Sequence, residues 1–163
     1  MKASELRIGN WVKIKDKIFE DGWDIGYDIY KTNEFQITGF NDGSSMKDCK
    51  VICFYEIPSK MFGGFIHSGC RDIDIDPIPL TEEWLEKLGF TLGGYNMLFW
   101  YHEKLKGLDF AGINWADAEY PEYQFLNYGI GTEIYQVYYV HQLQNLYFAL
   151  TGEELILTKN ETN

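Results

Sequence analysis

Three cysteines and one histidine follow a zinc-like order in this chain, Cys49-x3-Cys53-x13-His67-x2-Cys70. Thiolate and imidazole groups are ligands that zinc prefers in proteins. Residues 50–52, however, have the pattern of a strand, which would place the first two cysteines about 13 Å apart. Two thiolates on one zinc ion must lie within about 4 Å of each other. The sequence therefore predicts buried or half-buried thiols, with no metal and no cofactor.

A second group of candidate ligands is the alternating stretch Asp72-Ile73-Asp74-Ile75-Asp76. Alternation predicts a strand with three carboxylates on one face and two isoleucines on the other. Carboxylates bind Mg²⁺ and Ca²⁺, but neighbours on one strand face lie about 7 Å apart, too far for one ion without help from other segments. We therefore expect the solvated face of a half-buried strand.

The histidines His67, His102 and His141 are the residues best suited to acid–base catalysis. No serine or cysteine nucleophile motif adjoins any of them, although triad members can be distant in sequence. The stretch Phe62-Gly63-Gly64-Phe65 lacks the Lys-Ser/Thr of a phosphate-binding loop. A catalytic role is thus disfavoured; the alternative that stays open is a small hydrolase-type enzyme using scattered carboxylates and His102 or His141.

The elements that must position these residues are mostly short strands. They are expected at residues 6–8, 11–14, 34–40, 50–57, 72–76, 97–102, 112–116, 123–128 and 133–139, from alternation and turn residues. The glycine-containing stretch 62–70 is expected to be a flexible link. The order along the chain is strands, helix, strands, helix, and it lacks the regular βαβ alternation of a parallel sheet. This order predicts an antiparallel β-rich α+β protein. The first 60 residues are compatible with a small curled sheet or an SH3-like barrel.

Two short helices are predicted near 82–88 and 140–150. Thr81 is a helix N-cap, two glutamates follow in the first turn, and Gly89 ends the helix. The second helix ends at Thr151-Gly152, and the apolar residues 155–157 beyond it could add an edge strand.

The second helix carries the candidate binding site. At helical spacing, four residues point to one side and are expected to face the sheet: Leu143, Leu146, Tyr147 and Leu150. Four others share a separate arc: His141, Gln144, Asn145 and Phe148. Amides and an imidazole supply hydrogen-bonding groups and a phenyl ring supplies contact area, as in recognition surfaces. The alternative is that a second element covers this arc and buries it.

Length and charge limit the classes of protein further. The 163 residues fit one domain, with room for two sub-structures at 1–60 and 71–158. The net charge is −11, and after residue 80 there are four lysines and no arginine. Because nucleic-acid binders recruit phosphates with basic clusters, direct DNA or RNA binding is not expected. The start lacks a signal peptide and no run is long enough to span a membrane, so we expect a cytoplasmic location.

Three stretches carry a resemblance: Glu5–Asn10 (ELRIGN), Pro77–Phe90 (PIPLTEEWLEKLGF) and Tyr139–Leu155 (YVHQLQNLYFALTGEEL). Together they resemble a group of small proteins without an assigned activity from Bacteroides-type gut bacteria, their prophages and mobile elements. The resemblance implies a cytoplasmic protein of a bacterium or phage and supplies no catalytic residues. The expectation is a non-catalytic binding or interaction protein, whose partner is a host or phage protein or a small ligand.

Overall fold

The computed structural model describes residues 3–15, 34–43, 51–59, 64–93, 99–105, 108–113, 122–127 and 132–158. The chain divides into two compact units, Met1–Ile78 and Pro79–Asn163. Each unit contains a five-stranded antiparallel sheet, and the second also contains two α-helices within the described residues. The predicted antiparallel α+β class is confirmed. The boundary at Ile78 places residues 71–78 in the first unit, whereas the sub-structure predicted from the sequence at 71–158 included them in the second.

The strands and helices alternate irregularly along the chain. The first unit contains β1 (Trp11–Ile14), β2 (Glu34–Asp42), β3 (Val51–Ser59), β4 (Gly64–Arg71) and β5 (Ile75–Pro77). The second unit contains α1 (Glu82–Lys87), β6 (Thr91–Gly93), β7 (Phe99–Tyr101), β8 (Leu108–Ile113), β9 (Glu122–Asn127), β10 (Thr132–Val137) and α2 (Val140–Thr151).

The sheet of the first unit has the order β4-β3-β2-β1-β5, because the chain returns after β4 and pairs β5 with β1. Alternation decides which face is buried: Val12 and Ile14 of β1 and Phe35 and Ile37 of β2 lie in one apolar core. Strands β4 and β5 form the two edges, so the sheet is open in the described residues and is not a closed barrel.

The start of the chain differs from the prediction. Residues Ala3–Glu5 form a 3₁₀ helix, and no strand occupies positions 6–8. The predicted Gly-Asn turn is present: Gly9 has a φ of 92°, and the side-chain oxygen of Asn10 accepts the N–H of Arg7 at 2.8 Å. The predicted first strand was wrong because these local turn contacts take up its backbone groups.

Two further expectations were wrong in the first unit. Residues 64–70 of the predicted flexible link belong to strand β4, which pairs with β3 from Ser59↔Gly64 to Ile52↔Arg71, while positions 62–63 lie outside the described residues. The predicted strand of alternating aspartates is a 3₁₀ helix, Asp72–Asp74, followed by the short β5. Tertiary pairing explains the first difference, since a strand partner overrides the weak local preference of glycine.

In the 3₁₀ helix each aspartate has its own environment. Arg71 holds Asp74 with two hydrogen bonds, at 2.6 and 2.9 Å. Asp72 accepts the backbone N–H of Val51 at 3.4 Å. The expected row of three carboxylates on one strand face therefore does not form.

The sheet of the second unit is a simple meander, β10-β9-β8-β7-β6. Helix α1 precedes it and begins as predicted, with the Thr81 hydroxyl accepting the N–H of Trp84 at 3.3 Å. It ends at Gly89, whose φ is +82°, and the N–H of Phe90 returns to the carbonyl of Leu85 at 2.9 Å. This is a Schellman end, in which a left-handed glycine lets the chain satisfy the last carbonyls.

Helix α2 follows the meander and also has well-defined ends. The Gln142 side-chain oxygen accepts the N–H groups of Tyr138 and Tyr139 at 2.9 and 3.3 Å, which is half of a capping box. The helix ends at Gly152, with φ +73° and an N–H that donates to the carbonyl of Phe148 at 2.8 Å. Both predicted helices are thus confirmed.

The beginnings of the two helices lie side by side, because the N–H of Leu80 donates to the carbonyl of Tyr138 at 2.9 Å. The chain after α2 is extended, but residues 155–157 do not form the predicted edge strand. In the described part of the chain, no helix has the length and apolar composition needed to cross a membrane.

Candidate functional site

The predicted site on α2 is divided by the structure. His141 and Gln144 are buried, Asn145 is half-buried, and Phe148 is 37% exposed. The four residues do not form one exposed surface. Phe148, at the end of the arc, is the most exposed of the four, and Asn145 is partly accessible.

The buried part of the arc is covered by the chain that follows the helix. The Gln144 amide nitrogen donates to the carbonyl of Leu155 at 3.2 Å, and Leu155 is itself buried. Further along, the N–H of Thr158 donates to the carbonyl of Lys87, at the end of α1, at 2.8 Å. The segment 153–158 therefore runs from α2 to α1. A second element covers this part of the arc, as the alternative interpretation expected.

His141 is buried in a different way. Its ring stacks on the ring of Tyr139, with centroids 5.9 Å apart and planes 13° from parallel. Both ring nitrogens are buried. The side chain therefore packs at the beginning of α2 and is inaccessible to a ligand that stays outside the fold.

The other end of α2 is exposed. We define the helix-end surface as Phe148, Leu150, Glu153, Glu154 and Ile156. Leu150 was expected to face the sheet but is 51% exposed, and Ile156 is 66% exposed. The reason is that the last turn of α2 extends past the buried residues Leu143 and Tyr147. Large apolar side chains and carboxylates are thus exposed along one short stretch of chain. Phe148 and Leu150 are two residues apart and lie on different sides of α2, so a partner contacts both only by covering the end of the helix.

A second candidate lies around His102, just after β7. Its ring contacts Phe90 and Tyr147, with centroid separations of 5.0 and 5.1 Å. Burial lowers the pKa of His102 below its ordinary value of 6.5; nearby Glu103 opposes the shift and Lys104 adds to it. His102 is therefore a neutral imidazole at pH 7.

The hydrogen bond of His102 decides its tautomer. Its Nδ1 accepts the backbone N–H of Lys104 at 3.2 Å, so the ring proton lies on Nε2. The lone pair that could accept a substrate proton is thus already occupied. Nε2 can donate a hydrogen bond, but it cannot act as a general base unless the tautomer changes.

Charged and phenolic groups adjoin His102 without completing a catalytic arrangement in the described residues. Lys104 forms an ion pair with Glu153 of the helix-end surface. The hydrogen bond that the Lys104 ammonium donates to the Glu153 carboxylate raises the pKa of Lys104. Burial raises the pKa of Tyr147, so its phenol stays protonated at neutral pH. The cluster consequently anchors the segment after α2 beside β7.

The two groups of candidate ligands considered in the sequence do not come together as a metal centre in the part of the chain described. There, no group of three or more His, Cys, Asp or Glu residues could hold an ion. Cys53 and Cys70 are buried thiols, as expected. Cys49 lies outside the described residues, as does the side chain of His67.

Comparison of the chain with known protein families, with curated proteins and with solved structures gives no match. The candidate site therefore depends on the geometry of this chain alone. Sequence reasoning missed two of its parts, the segment 153–158 over Gln144 and the ring contacts of His102. The only sequence signal for the covering segment was the apolar run 155–157. That run does not indicate that Leu155 is buried and Ile156 exposed.

Proposed function

We propose that this chain is a non-catalytic binding protein whose partner is a protein that contacts the helix-end surface. The observation that carries the proposal is the exposure of Phe148, Leu150 and Ile156 at the end of α2. Exposed aromatic and aliphatic side chains in one stretch supply contact area that a partner can bury. We place this interaction in the cytoplasm of a bacterium or a phage-infected cell, as the resemblance implies.

The charge around the apolar residues favours a particular kind of partner. Glu154 lies between them in the chain, Glu153 is already paired with Lys104, and the chain carries twelve acids against four lysines after residue 80. Complementary potentials steer association and exclude wrong partners. The partner surface should therefore be apolar at its centre and basic at its rim. Nucleic acid and membrane are not proposed as partners.

The hydrolase alternative receives less support from the geometry. A general base must present a lone pair to its substrate, and the Nδ1 lone pair of His102 accepts the Lys104 N–H. His141 is buried and stacked on Tyr139. Neither histidine is arranged to accept a proton from a bound substrate.

A capture experiment with matched variants tests the proposal. Tagged full-length chain is incubated with a lysate of the bacterial host, and retained proteins are identified for the wild type and for the double variant Phe148→Ala/Ile156→Ser. We expect the double variant to lose the partner while keeping the circular dichroism spectrum of the wild type. Raising the salt concentration should weaken capture by the wild type, because rim charges are screened.

The first unit offers a matched control. Phe40 and Ile8 are 38% and 56% exposed, close to Phe148 at 37% and Ile156 at 66%. The double variant Phe40→Ala/Ile8→Ser should capture the partner as the wild type does. Equal capture by all three proteins contradicts the proposal, as does loss of capture in the control alone.

A further inference from the structure

Two cysteines lie directly opposite each other in the sheet of the first unit. Cys53 is in β3 and Cys70 is in β4, and they are partners in the antiparallel register of these strands. Directly opposed residues in an antiparallel pair point to the same face. Both thiols accordingly belong to one buried core, together with Val12 and Ile37.

The spacing of this pair suits a disulfide. Opposed residues in an antiparallel ladder have Cα atoms about 4.5 or 5.5 Å apart, depending on the hydrogen-bonding site. Disulfides join Cα atoms about 4.4–6.8 Å apart. A bond between Cys53 and Cys70 therefore requires side-chain rotation and little movement of the backbone.

One of the two thiols can become accessible when the sheet opens locally. Among the described residues, strand β4 is at the edge of the sheet and pairs only with β3. Cys70 is the next-to-last residue of β4, at the end away from the connection between the two strands. Local opening of this end costs less free energy than global unfolding, and it breaks the hydrogen bond from the Val51 N–H to Asp72. Cys70 is also slightly exposed, whereas Cys53 is fully buried.

We propose that Cys53 and Cys70 are a reversible dithiol–disulfide pair that reacts with low-molecular-weight disulfides such as oxidised glutathione. The Cys70 thiolate attacks one sulfur of the small disulfide, forming a mixed disulfide and releasing one thiolate. The Cys53 thiolate then attacks the Cys70 sulfur, breaks the mixed disulfide and releases the second thiolate. The two protons leave the protein thiols and end on the released thiolates, so one small disulfide is reduced as the protein is oxidised.

The consequence for the protein is a covalent link between an edge strand and its neighbour. In a reducing cytoplasm the pair stays as thiols, and it is oxidised when the pool of small disulfides rises. The link closes the β3–β4 hairpin at its open end and restricts the unfolded chain. The oxidised protein should therefore unfold at a higher urea concentration than the reduced one.

Trypsin provides a direct test, because it separates the three cysteines into peptides 48–50, 51–60 and 61–71. Purified wild-type chain is equilibrated with oxidised and reduced glutathione under native conditions, acid-quenched, alkylated and digested without reductant. We expect the main linked species to join peptides 51–60 and 61–71. It should disappear after treatment with dithiothreitol, and it should form equally well in the Cys49→Ser variant.

The same reaction in concentrated urea is the control for native geometry. In the unfolded chain the shortest loop closes most readily, so Cys49–Cys53 should become the main pair. Three native outcomes overturn the proposal: a linked species dominated by Cys49, a glutathione adduct that does not progress to the 53–70 link, or three unreacted thiols. None of them bears on the helix-end surface, which lies in the other unit.

Discussion

Helices α1 and α2 begin side by side and end with the same local device, but their ends have different surroundings. Gly89 and Gly152 both have positive φ, at +82° and +73°. At the end of α1, Thr158 lies against the chain and donates twice to the carbonyl of Lys87, from its N–H at 2.8 Å and its hydroxyl at 3.0 Å. At Gly152 an added Cβ would meet nothing within 4 Å. A glycine with positive φ therefore ends both helices, although the end of α1 is covered by Thr158 and the end of α2 at Gly152 is open.

The difference bears on function, because the chain after α2 protects α1 and leaves the end of α2 accessible. The segment 153–158 is anchored at three points: the Gln144 amide, the Lys104 ammonium and the Lys87 carbonyl. Between these anchors, Ile156 is exposed. The segment is therefore held in place while part of it faces outward, which is the arrangement a preformed contact surface requires.

The largest expected effect is a difference in the free energy of unfolding between alanine variants of a buried leucine in α1 and an exposed leucine in α2. Leu85 is fully buried, so Leu85→Ala should lower the free energy of unfolding by about 2–5 kcal/mol. Leu150→Ala should lower it by less than about 1 kcal/mol, because half of that side chain stays in water. Urea denaturation measures both. Comparable losses in the two variants would mean that the end of α2 is not an open surface.

The covering of α2 by segment 153–158 is tested at Gln144. Gln144→Ala should cost about 1–3 kcal/mol, since it removes the donor to a buried carbonyl. Amide hydrogen exchange at Thr158 should accelerate as the segment loosens. Asn145→Ala, on the half-buried neighbour, is the control and should leave that exchange rate nearly unchanged. Unaltered exchange in Gln144→Ala contradicts the anchoring role.

The two glycines sharpen the comparison of the helix ends. Alanine in a left-handed conformation costs about 1–2 kcal/mol, and that should be the whole effect of Gly152→Ala. In Gly89→Ala the new Cβ also meets the Thr158 methyl group at 2.8 Å. Gly89→Ala should therefore be the more destabilising, and adding Thr158→Ser should remove the excess. Thermal or urea unfolding of the three variants decides this.

The smallest expected effect is a pH dependence at His102, which contacts Phe90 after α1 and Tyr147 in α2. Glu103 and Lys104 are the charged groups that influence it. Since the folded-state pKa is depressed, the unfolded chain binds more protons just below pH 6.5. Stability should be fully present above that pH and should fall as the pH drops through the folded pKa.

The variant His102→Gln isolates this contribution. Urea midpoints measured between pH 7.5 and 5 should decline less steeply for the variant than for the wild type. Carboxylates contribute to both proteins in the same way and cancel in the difference. Parallel declines would show that burial of His102 does not shift its protonation.

The local elements of this protein were predictable where short-range contacts decide them. The Thr81 cap, the glycine ends of both helices and the alternation in β1 and β2 follow from neighbouring residues, and all are present. Sequence reasoning failed at residues 64–70 and 72–74. There the choice between link, strand and 3₁₀ helix depends on a partner strand and on Arg71 holding Asp74.

The sequence by itself determined the α+β class, the two helices and the acidic character of the second half. Tertiary structure alone decided which residues of α2 are exposed. Helical periodicity places His141, Gln144 and Phe148 on one arc, but it contains no information about the segment that covers Gln144 and leaves Phe148 accessible. The pairing of Cys53 with Cys70 likewise depends on strand register, which is set when the sheet forms and buries one face of each strand.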